Sequence, residues 1–267
     1  MYEEDETFTD NGAIVSLLSI PRKGRFDDLK DSAAVGWESS SPAAALVSRA
    51  AEAILRAALA RCGGVSVAVR APVDGLVTGA VQGVRLRGER WESPGGLSAR
   101  SLKVSVGAGR VDVGALLSRG AIELAVPKPL GVAEIAFTVA DFGSLLRHPL
   151  LEAAADGIAD LSPKGARAAN DGVAFGARAS GAGANVKYQG YVLSRAQRGE
   201  CVVTPVDPTR GDADLATALT GMFAGLTLDL SGSQFSFAEL VACDDESGVV
   251  LRLDVTVARF PPPRVDF

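Results

Sequence analysis

The chain has 267 residues, with 27 basic and 32 acidic side chains and a net charge of −5. At 47% hydrophobic and 22% charged residues it has globular proportions, which exclude a disordered chain. The acidic balance argues against a general nucleic-acid binder, which needs a basic face, and the single histidine, His148, excludes a multi-histidine metal site.

Residues 1–40 hold nine acids and four bases, while the rest of the chain is balanced at 23 and 23. The charge imbalance therefore belongs to an N-terminal arm. The arm lacks sustained periodicity and has one apolar patch, Ala13 to Ile20, which ends at Pro21 and the basic run Arg22-Lys23-Gly24-Arg25. The acidic opening Met1-Tyr2-Glu3-Glu4-Asp5-Glu6 is unlike a signal or transit peptide, so any targeting segment is expected to be either lacking or already removed. The longest uncharged apolar stretch, in the region of Leu215 to Leu228, is shorter than the roughly 18–20 residues of a spanning helix. Cys62, Cys201 and Cys243 show no CxxC spacing; free thiols in apolar surroundings are expected, with a disulfide or a metal as the alternatives.

Ser41-Pro42 opens the first clear element, since serine is a good N-cap and proline is tolerated in the first turn. The run Pro42 to Cys62 is predicted helical and stopped by Gly63-Gly64. Arg49, Glu52 and Arg56 fall on one polar stripe, and Leu46, Val47, Ile54, Leu55 and Leu59 face elsewhere. A helix apolar over most of its girth is expected to be enclosed, so aspartate at Ile54 or Leu55 is expected to unfold the protein.

After Gly64 the period changes to two. Val65/Val67/Val69, Val84/Leu86, Leu102/Val104/Val106, Val111/Val113, Ile122/Leu124/Val126 and Ile135/Phe137/Val139 read as half-buried strands of a mostly antiparallel sheet. Helical pieces follow from Ala140 and, after Pro149, over Leu150–Ala155. Residues 159–171 read as a loop. Strands resume at Val173–Ala179, Val186–Ser194 and Cys201–Val206. A short helix capped by Asp212 runs to Phe223, and three closing strands span Leu226–Leu230, Phe235–Phe237 and Val249–Val257. Residues 261–267 form a proline-rich tail.

The stretch from Leu116 through Ile122-Glu123-Leu124 to Pro127, followed by Ala133–Leu151, carries a recognisable pattern. Thr138, Asp141, Leu145 and Leu150-Leu151 sit at its expected spacing, and Pro72, Gly75, Gly79, Gly83 and Val84 fit an upstream phrase. In these residues the chain resembles the LmeA-like phospholipid-binding family of bacterial, cyanobacterial and plastid proteins, over about residues 42–152 and more weakly over 172–259. It departs from that pattern at Phe142-Gly143, where the family often has Leu-Asn. The resemblance implies an α+β, tubular lipid-binding type of fold, a strongly curved antiparallel β-sheet wrapped around a long helix. The periodicity independently asks for a sheet that covers the Pro42–Cys62 helix.

Motif chemistry is sparse. There is no nucleophile elbow, Walker loop or dinucleotide fingerprint. His148 has Ser144 and Asp141 near it in sequence, but helix capping and the helix dipole account for Asp141 and His148. Asp244-Asp245-Glu246 reads as a hairpin tip, with calcium binding a minor alternative. No catalytic residue, metal site or cofactor is assigned.

The expected function is a non-enzymatic lipid- or hydrophobe-binding protein peripheral to a membrane. Leu46, Val47, Ile54, Leu55, Leu59, Phe137 and Leu145 would line a groove for acyl chains, and Arg85, Arg87 and Arg147 would meet a head group. The alternative is an accessory scaffold subunit of a larger membrane complex, in a phototroph a thylakoid complex such as a photosystem. It would dock through residues 1–40, with Ile14, Leu17, Leu18, Ile20, Arg22, Lys23 and Arg25 as contacts, and through residues 261–267. The residues divide into that arm (1–40), a curved-sheet-plus-helix domain (41–260) and the tail (261–267).

Overall fold

The structure, a computed structural model, describes residues 42–72, 74–110, 128–169, 172–182, 186–196, 200–230, 233–244 and 248–257. The arm, the tail, the strands expected between Val111 and Val126 and the tip at Asp245–Glu246 lie outside the described residues.

The elements in chain order are α1 (Pro42–Ala58), β1 (Gly64–Arg70), the single turn α2 (Gly75–Thr78), β2 (Ala80–Val81), β3 (Gly83–Glu92), β4 (Ser98–Val106) and β5 (Gly109–Arg110). Then come β6 (Leu130–Phe137), α3 (Val139–Leu145), α4 (Pro149–Ala155), β7 (Ala159–Ala169), β8 (Gly172–Ala179), β9 (Gln189–Arg195) and β10 (Cys201–Pro205). The last four are α5 (Ala213–Ala224), β11 (Thr227–Leu230), β12 (Ser233–Asp244) and β13 (Gly248–Val257). The fold is α+β with antiparallel sheets. One sheet has seven strands in the order β1-β3-β4-β6-β13-β12-β11, and the second has four, β10-β9-β8-β7.

The main core lies where β6, β12 and β13 of the large sheet meet the small sheet and the helices α3, α4 and α5. Period-two patterning turns Val249, Leu251, Leu253, Val255 and Val257 of β13 inward. Phe175 of β8 sits among three other rings, edge-on to Phe142 (6.3 Å) and Phe223 (5.9 Å) and tilted against Tyr191 (6.3 Å). Such geometries set the positive ring edge against a negative face. The opposite face of the large sheet is wet and carries charges of alternating sign. Lys103 on β4 bonds Glu134 on β6 at 2.9 Å; Arg252 on β13 lies 3.5 Å from Glu134 and 2.9 Å from Glu239 on β12; and Arg195 on β9 reaches Glu239 at 2.9 Å. The first three contacts follow the strand register, in which Glu134 faces both Lys103 and Arg252, and Arg252 faces Glu239. The last one ties the two sheets together. Burial opposes ionisation of Glu134, but Lys103 and then Arg252 outweigh it and lower its pKa.

α1 differs most from expectation. It ends at Ala58, one turn earlier than the sequence suggested. It lies along β1, the edge strand of the seven-stranded sheet. The side chains turned toward β1 are partly polar: Ser48 Oγ accepts from Val69 N–H at 3.0 Å, Glu52 Oε1 accepts from Val67 N–H at 2.9 Å, and Arg56 Nη2 donates to the Val65 carbonyl at 3.0 Å. Four helical residues advance about 6 Å and two strand residues about 6.6 Å. A polar residue at every fourth helix position therefore meets alternate backbone groups of an antiparallel strand. These bonds satisfy an edge that would otherwise present unpaired N–H and C=O groups. Beside them Ala51, Leu55 and Leu59 pack on Val65, Val67 and Val69 in a small cluster separate from the main core.

Two further expectations are corrected. Residues 159–169 are strand β7, not a loop. The Ser-Pro-Lys-Gly signal there marks a bulge: Ser162 faces Gly176 and Arg167 faces Ala174, so Pro163–Ala166 stand opposite Phe175 alone. Val139 begins α3 instead of ending a strand, because Thr138 and Asp141 form a capping box in which each side chain accepts the other's backbone N–H.

Candidate functional site

The seven residues expected to line an acyl groove do not share one. Leu55 and Leu59 pack against β1. Leu46, Val47 and Ile54 lie outside that contact and are 71%, 39% and 49% exposed. Phe137 and Leu145 are sealed in the main core. The reason is the mixed face that α1 turns to β1: Ser48, Glu52 and Arg56 bond the strand edge beside Leu55 and Leu59, which leaves Leu46, Val47 and Ile54 outside.

The head-group candidates are also dispersed. Arg85 and Arg87 point to the same side of β3, where Arg87 is exposed and stands directly opposite Lys103. Arg85 is buried, and that burial, with Arg87 and Arg70 nearby, lowers its pKa. Arg147 is exposed on a different element, the turn between α3 and α4.

A concave site forms instead on the small sheet. A groove of about 560 Å³ is lined by Lys164 and Arg167 of β7, Ala174 and Gly176 of β8, Lys187, Tyr188 and Gly190 at β9, and the Val206–Gly211 loop with Arg210. Four cations thus face a single carboxylate, Asp207. The β7 bulge carries Lys164 over the groove, and Gly176 lets it approach, since a Cβ there would lie 3.3 Å from Ser162 Cβ and 3.4 Å from the Lys164 carbonyl. On the other wall, a Cβ on Gly211 would lie 2.0 Å from Pro205 Cβ, so only glycine lets the loop fold back. Asp207 is engaged by its own turn: it accepts from Thr209 N–H at 3.0 Å and Thr209 Oγ1 at 2.7 Å, which lowers its pKa, and Arg210 lies 3.7 Å away. Among the described residues no carboxylate pairs with Lys164, Arg167 or Lys187. Tyr188 stands at the rim, 46% exposed, with the Arg178 guanidinium 4.9 Å from its ring centre. Gln189 braces the far end: its Oε1 accepts from Tyr191 OH and from the backbone N–H of Asp212, the N-cap of α5.

A second concavity, of about 620 Å³, sets Arg61, Arg90 and Arg100 around Trp91, but Glu92 and Asp141 line it too. Glu92 pairs with Arg61 at 3.7 Å, and Asp141 is engaged by Ser98 and Thr138. Arg90 has φ +46°, a strained backbone for a residue with a side chain. Its charge balance is weaker than that of the β7–β9 groove.

His148 is the N-cap of α4, and its Nδ1 accepts from Leu150 N–H at 3.4 Å. The proton therefore sits on Nε2, which is buried without a hydrogen-bond partner among the described residues. Burial lowers the pKa of His148, and Glu152 opposes the shift. The native state thus favours neutral histidine, and this contribution is complete above the unfolded value near 6.5 and lost as pH falls below it. A urea midpoint that drops between about pH 7 and pH 5 is expected, and His148→Asn, which keeps a capping acceptor, should flatten that drop.

Burial pushes the Cys201 thiol up to about 11, so it stays protonated near neutral pH. Cys62 and Cys201 are free. Among the described residues no cluster of ligating side chains could hold a metal, and no helix is long and apolar enough to cross a membrane.

The groove was missed in the sequence because its cations come from three separate segments. The only hint was the Ser162-Pro163-Lys164-Gly165 run, which read as an ordinary loop. No protein-family model, curated protein or solved structure matches this chain, so the resemblance to the LmeA-like family rests on the quoted residues alone.

Proposed function

We propose that this chain is a non-enzymatic binding protein, peripheral to a membrane, that holds the anionic head group of a phospholipid in the groove between β7, β9 and the Val206–Gly211 loop. The observation that carries this reading is the excess of Lys164, Arg167, Lys187 and Arg210 over Asp207 in one concave site. Such a site attracts a phosphate, and its volume is within the range of small-ligand pockets. The floor of Ala174, Gly176 and Gly190 leaves depth for a head group, and exposed Tyr188 and Val206 offer apolar surface at the rim. The tubular form implied by the resemblance, with a sheet curled around α1 and acyl chains between them, is a finer version of this reading, which the head-group version does not need.

Vesicle co-sedimentation tests it. Binding to phosphatidylcholine vesicles containing phosphatidylglycerol should exceed binding to phosphatidylcholine alone and fall with salt. The double variant Lys164→Glu/Lys187→Glu should weaken it more than about tenfold, each surface charge near an anionic bilayer being worth about 1 kcal/mol. Unchanged binding in that variant, with an unaltered melting curve, would remove the groove from the function. Competition by inorganic phosphate would point to a soluble phosphate ligand instead. The accessory-subunit reading relied on residues 1–40 and 261–267, which lie outside the described residues.

A further inference from the structure

The groove between β7, β9 and the Val206–Gly211 loop carries more positive charge than a phosphodiester can balance. Asp207 faces Arg210 at 3.7 Å, and among the described residues no carboxylate pairs with Lys164, Arg167 or Lys187. These three cations come from two walls, Lys164 and Arg167 from β7 and Lys187 from the lead into β9. Between them β8 contributes Ala174, Phe175 and Gly176, all buried and none charged. A phosphodiester brings one negative charge and two non-bridging oxygens. A phosphomonoester brings nearly two charges at neutral pH and three such oxygens.

The groove also lacks a free carboxylate or amide oxygen for a head-group ammonium. Asp207 Oδ1 already accepts from the Thr209 N–H and hydroxyl, and Gln189 Oε1 from the Tyr191 hydroxyl and the Asp212 N–H. Gln189 lines the groove, and with its oxygen held this way its amide has only N–H groups left to offer.

We propose that the groove selects a phosphomonoester dianion, in a membrane the terminal phosphate of phosphatidate, over phosphodiester head groups. This inference rests on the head-group reading above and names the class of head group. It also gives binding a pH dependence that belongs to the ligand, because the second ionisation of a phosphomonoester lies at about 6. The charged and titratable groups that face the ligand are Lys164 and Arg167 from β7, Lys187 and Tyr188 at β9, and Asp207 and Arg210 from the loop. Histidine is the side chain that ordinarily titrates in that range, and the one histidine, His148, does not line the groove. Asp207 stays charged there, since the bonds of its own turn lower its pKa.

The test is co-sedimentation of the full chain with phosphatidylcholine vesicles that carry either phosphatidate or twice as much phosphatidylglycerol, so that surface charge matches. At about pH 7.5 phosphatidate should bind about tenfold more tightly, because one more charge meets the three cations. At about pH 5 that preference should vanish, in the parent and in His148→Asn alike. Lys187→Gln should reduce the preference below about threefold, and circular dichroism should show it folded, since Lys187 is exposed. Equal binding to the two charge-matched vesicles overturns the proposal, and leaves the head-group site standing if Lys164→Glu/Lys187→Glu still weakens both. A pH response that His148→Asn removes also overturns it, by assigning the proton to the protein. Binding indifferent to the double variant removes the site and the proposal together. Displacement by glycerol 3-phosphate at the concentration of the lipid phosphate supports the monoester and overturns the membrane reading instead.

Discussion

Replacing Phe175 by alanine is expected to destabilise the protein by about 3–5 kcal/mol, the range for deleting a fully buried aromatic side chain. Phe175 is 1% exposed and its ring touches those of Phe142, Tyr191 and Phe223, which come from α3, β9 and α5. The loss combines the transfer free energy of the ring with a cavity that three separate elements cannot close together. Since whole domains are stable by only about 5–15 kcal/mol, the variant should lose a third or more of its stability. Urea denaturation followed by tryptophan fluorescence measures it. Phe175→Leu keeps most of the apolar volume and should lose less than half as much. A loss under about 1 kcal/mol for the alanine variant would mean that β8 does not join the small sheet to the helices.

The second large effect separates two neighbours on α1. Leu55→Asp should cost about 2–4 kcal/mol, because it places a carboxylate against the Val65–Val67–Val69 cluster and removes the contact that seats the helix. Ile54→Asp should stay within about 0.5 kcal/mol of the parent, because the Ile54 side chain is 49% exposed and lies outside that cluster. The sequence alone predicted unfolding for both. Thermal melts of the two variants decide between an enclosed helix and one laid along a sheet edge.

The reason for that difference shows what sequence patterning carries. The sequence places Arg49, Glu52 and Arg56 on one polar stripe of the helix, without saying what that stripe meets. Glu52 and Arg56 satisfy backbone groups of β1, a role that depends on which strand ends up at the sheet edge. No local pattern encodes strand order. The same holds for the cationic groove, whose residues Lys164, Lys187 and Arg210 are separated along the chain and become neighbours only when β7, β8 and β9 pair.

By itself, the sequence determined many of the local elements, though not β7 or the end of α1. Alternating valines and leucines specified β1, β3, β4, β6 and β13, because a period of two puts every second side chain on one face. Thr138 with Asp141, and Asp212, specified where α3 and α5 begin, because a cap acts over three residues. Tertiary structure alone decided that Phe137 and Leu145 are sealed in the core, that Leu46 and Ile54 face outward, and that four cations share one groove. Those outcomes depend on contacts between residues distant in sequence, and hydrophobic burial, which drives them, has no direction until the sheets pair.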